Sequence, residues 1–107
     1  MQKRKEVVWA SAAEDDVVKI VRYLIEHESE EYARRMAVDI QEAGERLSYQ
    51  ALLWRARDNV FPGARFVLMK PYIIVYDVRD DDVNIVRVLH GAQNIEAILQ
   101  TEDEPNI

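Results

Sequence analysis

Three apolar runs stand almost end to end in the second half of the chain: Arg65-Phe66-Val67-Leu68-Met69, Tyr72-Ile73-Ile74-Val75-Tyr76-Asp77-Val78, and Val83-Asn84-Ile85-Val86-Arg87-Val88-Leu89-His90. Lys70-Pro71 separates the first two, and Arg79-Asp80-Asp81-Asp82 the second two. Links this short join antiparallel neighbours, because a parallel return needs a crossover of roughly a dozen residues or more. The runs therefore predict a three-stranded meander. Tyr72, Ile74, Tyr76 and Val78 share one face of the middle strand, and Ile73 and Val75 share the other. A strand apolar on both faces must be covered on both.

Ahead of the meander, a short apolar strand ends at Trp9-Ala10-Ser11. Ser11-Ala12-Ala13-Glu14 has the spacing of a reciprocal capping box, which predicts a helix starting at Ala12. Val17, Ile20, Val21, Leu24 and Ile25 then form one apolar stripe at helical spacing, with Asp15, Asp16, Lys19 and Arg22 on the remaining surface. His27-Glu28-Ser29-Glu30 interrupts the pattern. A second stripe of Ala33, Met36, Ala37, Ile40, Gly44 and Leu47 makes the pair an αα-hairpin. Gly44, which costs about 1 kcal/mol of helix propensity relative to alanine, reads as a point of close packing. From Ser48 to Ala64 neither period holds, and Asp58-Asn59 and Pro62-Gly63 supply turn chemistry. Leu52, Leu53, Trp54, Val60 and Phe61 are expected to pack this loop against the body. Asn94 is expected to cap a short helix beginning Ile95-Glu96-Ala97-Ile98-Leu99. That helix, the loop or a partner protein would cover the second face of the sheet. The predicted fold is α+β: an N-terminal strand, an αα-hairpin packed on an antiparallel sheet of three to four strands, and a short C-terminal helix. Val17, Val21, Leu24, Ile40, Ile74, Val86 and Val88 are expected to anchor one shared core.

With 107 residues, 49% of them apolar, the chain suits one domain over 1–107, with an acidic tail frayed from about residue 101. It has no cysteine, which rules out disulfides, thiolate metal sites and a cysteine nucleophile. Glu6-Val7-Val8-Trp9 is too short for a signal-peptide core, and no apolar run approaches the roughly 20 residues of a membrane span. A cytoplasmic protein is expected. Fourteen Lys and Arg against twenty Asp and Glu give a net charge of −6, which weighs against broad nucleic-acid binding, since phosphate recognition is driven by Lys and Arg.

Chemistry-bearing motifs are sparse. Ser11, Ser29 and Ser48 lie in no nucleophile elbow, and the two histidines have no ligand spacing. Asp80-Asp81-Asp82 lacks the rest of a calcium loop, and Gly44, Gly63 and Gly91 are too scattered to cradle a phosphate. No metal or cofactor is implied. One constellation remains: Arg65, Tyr76, Arg87 and His90 lie on adjacent strands and would line a common groove, a set suited to phosphodiester chemistry with His or Tyr as acid or base and Arg as charge stabiliser. Against this, a histidine before Gly91 at a strand end suits a structural hydrogen bond, and Tyr76 alternates with core residues.

The order of parts, with Pro71-Tyr72-Ile73-Ile74-Val75-Tyr76, Arg87-Val88-Leu89-His90-Gly91-Ala92 and Pro62-Gly63-Ala64-Arg65, resembles the ParE branch of the RelE/ParE toxin family from about Val7 to Leu99. The resemblance implies a compact toxin encoded beside an antitoxin whose extended tail wraps it. RelE-like members cut mRNA on the ribosome with Lys and Arg residues, two of whose positions fall here on Ile73 and Gln93. Neither side chain is a cation. The reading that follows is a ParE-like toxin that binds DNA gyrase, is neutralised by a ParD-like antitoxin in a hetero-oligomer, and has no catalytic residues. Arg65, Arg87, His90 and Tyr76 are then the candidates for target binding, and Val18, Ile25 and Met36 for antitoxin binding. Direct sequence-specific nucleic-acid binding and a membrane are not expected. A RelE-like endoribonuclease, or an inactive interaction module of the same fold, are the alternatives.

Overall fold

In the computed structural model, which describes residues 4–103, strand β1 (Glu6–Trp9) runs directly into helix α1 (Ser11–His27). Ala10 stays extended and gives its amide to the Ile85 carbonyl at 2.9 Å, while its own carbonyl receives the Glu14 amide at 3.0 Å. The last rung of the sheet is thus also the helix N-cap. Ser11 is drawn into the first turn and makes no side-chain cap, so the expected capping box is not formed. Helix α2 (Glu30–Glu45) does begin on a side-chain cap, with Ser29 Oγ accepting the Tyr32 amide at 3.0 Å. A single turn, α3 (Leu47–Gln50), follows. After the long loop come β2 (Arg65–Met69), β3 (Tyr72–Arg79), β4 (Asp82–His90) and α4 (Ile95–Asp103).

The meander forms as its short links require. Met69 stands opposite Tyr72 and Arg79 opposite Asp82, leaving two-residue turns at Lys70-Pro71, a cis peptide, and at Asp80-Asp81. Asp80 adopts φ 54, a left-handed conformation that aspartate tolerates better than most residues. The sheet is mixed, in the order β1-β4-β3-β2, because β1 pairs in parallel with β4. The expected meander is antiparallel throughout, and β1 adds a fourth strand in the parallel sense. Three helices, a loop and two strands separate it from its partner, so no short link fixes its direction.

Both helices pack on one face of the sheet, burying Leu24, Ile40 and Leu47 with Ile74, Tyr76, Val83, Ile85 and Val88. Gly44 makes this approach possible: an alanine Cβ there would lie 2.7 Å from Trp9 Cη2 and 2.9 Å from Ile85 Cδ1. Val17 and Val21 flank this core and are only partly buried. Val86 does not join it. It packs on the other face, beside a second cluster of Val60, Ala64, Phe66, Val75 and Leu99. That face is covered by the loop and by α4, whose start is capped by Asn94 Oδ1 accepting the Ala97 amide at 3.2 Å. Helix α4 runs to Asp103, so the stretch expected to fray from residue 101 begins as helix, and its remainder, 104–107, lies outside the described residues. In the loop, Leu52 and Leu53 are exposed to solvent, contrary to expectation. The α3 turn buries Leu47, Ser48 and Ala51 and leaves the two leucines on its outer side. No helix among the described residues is long and apolar enough to cross a membrane.

Candidate functional site

The groove expected from Arg65, Tyr76, Arg87 and His90 is not assembled. The ladder between β3 and β4 slips at Val75/Tyr76, where Arg87 stands opposite Val75 but Ile85 stands opposite Tyr76. One residue of β4 is therefore extra, a β-bulge. It lets Ile85 and Val88, an odd number of positions apart, both face the helices. At the bulge, Arg87 turns to α1 and donates from Nε to Asp16 Oδ2 at 2.7 Å and from a terminal nitrogen to Asp16 Oδ1 at 2.8 Å. Asp16 Oδ2 also accepts the Val88 amide at 2.9 Å. Asp16 is buried, not on the polar surface assigned to it from spacing. The hydrogen bond from Arg87 to Asp16, acting with the carboxylate's charge and against the cost of burial, holds the Arg87 pKa above its ordinary value. Arg87 is thus a tie between helix and sheet.

Tyr76 is fully buried, and its hydroxyl donates to the Ala51 carbonyl at 2.5 Å. Burial pushes its pKa up to about 12, against the opposing effect of Arg65. A phenol so placed is closed to solvent. Arg65, opposite Tyr76 in the ladder, donates to the Trp54 carbonyl. Together they fasten the segment after α3 to the sheet. His90 lies at the far end of β4, opposite Tyr72. Its Nδ1 accepts the Ala92 amide at 3.0 Å, its own amide donates to Gln93 Oε1 at 2.9 Å, and its ring meets Tyr72 edge-on at 5.6 Å between centroids. Of the four, His90 alone is exposed. The two positions that lack cations are also occupied structurally, Gln93 by the His90 amide and Ile73 against the second cluster.

Apolar surface, by contrast, is plentiful on the helices. Val18 is 46% exposed and Ile25 51%, whereas Met36, at 8%, belongs to the core and offers no surface to an antitoxin. Between α1 and α2, beside Trp9, lies a groove of about 510 Å³ walled by Val17, Val18, Ala37 and Ile40. Val38, Tyr49, Leu52 and Leu53 are further exposed apolar side chains that helical periodicity does not reveal.

The family model described as the ParE toxin of the type II toxin–antitoxin system parDE matches residues 7–95. The chain belongs to the ParE toxin family. A ParE relative, Toxin ParE3 of Caulobacter vibrioides, is 31% identical over 84 residues, covering 78% of this chain and 84% of the relative. The toxin–antitoxin fold is shared with the chromosomal ParDE system of P. aeruginosa (TM-score 0.73, 21% identity, 83% of this chain and 98% of that one). It is shared also with the RelBE2 complex of Mycobacterium tuberculosis (TM-score 0.64, 20% identity, 81% and 98%). Within this ParE fold, the motif residues that carried the resemblance do structural work. Pro71 makes the β2–β3 turn and its carbonyl accepts the Gly91 amide at 2.8 Å, while His90 and Gln93 bind each other's turn. The carboxylate that organises the sheet, Asp16, lay unnoticed among the helix's polar residues.

Proposed function

We propose that this ParE-family chain is the toxin of a two-component pair, that it acts by binding DNA gyrase without catalysing a reaction, and that a ParD-like antitoxin neutralises it as a hetero-oligomer. One observation carries the non-nucleolytic part: three of the four groups suited to phosphodiester chemistry, the hydroxyl of Tyr76 and the guanidinium groups of Arg65 and Arg87, are committed to internal bonds. The two positions where cations would grip a phosphate carry Ile73 and Gln93. The antitoxin reading is supported by the groove beside Trp9 and the exposed Val18 and Ile25, an amphipathic surface of the kind an incoming helix fills with periodic apolar anchors. His90 is the remaining exposed candidate for target contact.

The test compares purified chain in a gyrase supercoiling reaction with mapping of mRNA ends in cells that express it without antitoxin. Inhibited supercoiling with intact messages is expected, and His90→Ala should weaken inhibition without altering messages. Site-specific mRNA cleavage that disappears in His90→Ala would establish the endoribonuclease reading instead. Val18→Glu should weaken antitoxin binding by at least about tenfold, the effect of losing one anchor worth 1.4 kcal/mol, while leaving gyrase inhibition unchanged.

A further inference from the structure

A second cleft, of about 630 Å³, lies where the end of the helical hairpin meets the β2–β3 turn, and it shares no residue with the groove beside Trp9. Its wall includes Tyr23, Tyr32, Tyr72 and His90, together with Glu28 and Lys19. The volume is that of a small-ligand or side-chain pocket. Tyrosine ring faces attract cations and give anions no comparable hold; Tyr23 is exposed, with a ring stacked on His27 at 4.3 Å between centroids, whereas Tyr72 is buried and meets His90 edge-on. Burial, with Tyr32 and Tyr23 close by, raises the Tyr72 pKa, so its phenol oxygen acts as an uncharged hydrogen-bonding group.

Charge points the same way. The chain carries a net −6, and the hairpin end concentrates Glu26, Glu28, Glu30 and Glu31. Glu30 and Glu31 are paired with Arg34 and Arg35 at 3.3 and 3.5 Å. Glu28 lies on the cleft wall itself, so a cation entering it gains a carboxylate as well as ring faces. Lys19, on that wall, opposes this. A guanidinium is the cation that fits such a wall, because it is planar, stacks on a ring and still forks its N–H groups to a carboxylate, whereas an ammonium does only the last of these as a point charge. Arginine is also among the residues most concentrated at interface hot spots.

The geometry points to this cleft as the seat of an arginine side chain presented by a protein partner, set against the Tyr23 and Tyr32 rings and bonded to Glu28. This holds whatever the toxin's target, since it rests on the cleft and not on gyrase.

The probes are N-acetyl-arginine-amide, its citrulline counterpart, which keeps the shape without the charge, and N-acetyl-lysine-amide. Each is titrated into the ¹⁵N-labelled full chain and followed by amide chemical shifts. Saturable shifts are expected for the arginine compound at Tyr23, Tyr32, Tyr72 and Gln93, with weaker binding of lysine and none of citrulline. Glu28→Gln should weaken the arginine compound by about tenfold, the loss of one charge-assisted hydrogen bond. Lys19→Ala should tighten it, an improvement that damage to the fold does not produce. Equal binding of citrulline or lysine, indifference to Glu28→Gln, weakening by Lys19→Ala, or shifts at the same amides with inorganic phosphate would each overturn the assignment.

Discussion

Replacing Asp16 by alanine removes both acceptor oxygens from Arg87 and the acceptor of the Val88 amide. Losing one partner of a buried ion pair costs about 3–5 kcal/mol, because the other charge stays desolvated. The Arg87 side chain keeps 16% exposure, which places the expected loss at the lower end. Asp16→Leu with Arg87→Met should recover much of it, since apolar replacement of both partners is often neutral. Urea unfolding midpoints of the single and double variants test this, and equal destabilisation in the double variant would refute it. Tyr76 makes a second prediction. Its folded pKa of about 12 lies above the ordinary 10.0, so its contribution is whole below pH 10 and is lost as pH rises towards 12. A shift of this size is on the order of 2–3 kcal/mol. The Tyr72 shift has the same sign. Tyr76→Phe should therefore be less stable at neutral pH by roughly 1–3 kcal/mol, with the Ala51 carbonyl unpaired, yet lose less between pH 10 and 12. These two residues mark where sequence reading stopped. Spacing placed Asp16 on a polar helix face, because pairing with a residue 71 positions away has no local pattern. Tyr76 was legible as core from its alternation, but its acceptor lies in an aperiodic segment.

Among the elements, the helical hairpin was readable from its 3.6-residue stripes and the meander from its two-residue links. The bulge was not. Arg87 looks like any outward strand residue until an extra Val86 changes the phase. β1 was readable as a strand but not in its direction, and Ser11 as a cap only until Ala10 was seen bonded to Ile85. Gly44 carries the prediction at this scale. Gly44→Ala gains about 1 kcal/mol of helix propensity but drives a methyl into the Trp9 indole and Ile85. Overpacking of this kind costs about 1–3 kcal/mol, so net destabilisation is expected. Trp9→Leu in the same chain should relieve it, in that the double variant melts above the sum of the two single losses. Additive losses would mean that the helix and sheet do not meet at this point.

For the molecule as a whole, the helix-side core is the larger store of stability. Leu24→Ala and Ile74→Ala should each cost about 2–5 kcal/mol through lost burial and a residual cavity, measured by denaturant unfolding, and values under about 0.5 kcal/mol at both would contradict their burial. Where the sheet places β1 bears on when the fold can close during synthesis. Glu6–Trp9 leaves the ribosome well before Asp82–Ile85, the segment with which it forms its ladder. At roughly 5–20 residues per second, the two are several seconds apart. Throughout that interval the hairpin has no completed sheet beneath it and the edge strand has no neighbour. The fold is therefore not completed in instalments: it closes only when β4 arrives, and a partner already present has those seconds to meet the chain first.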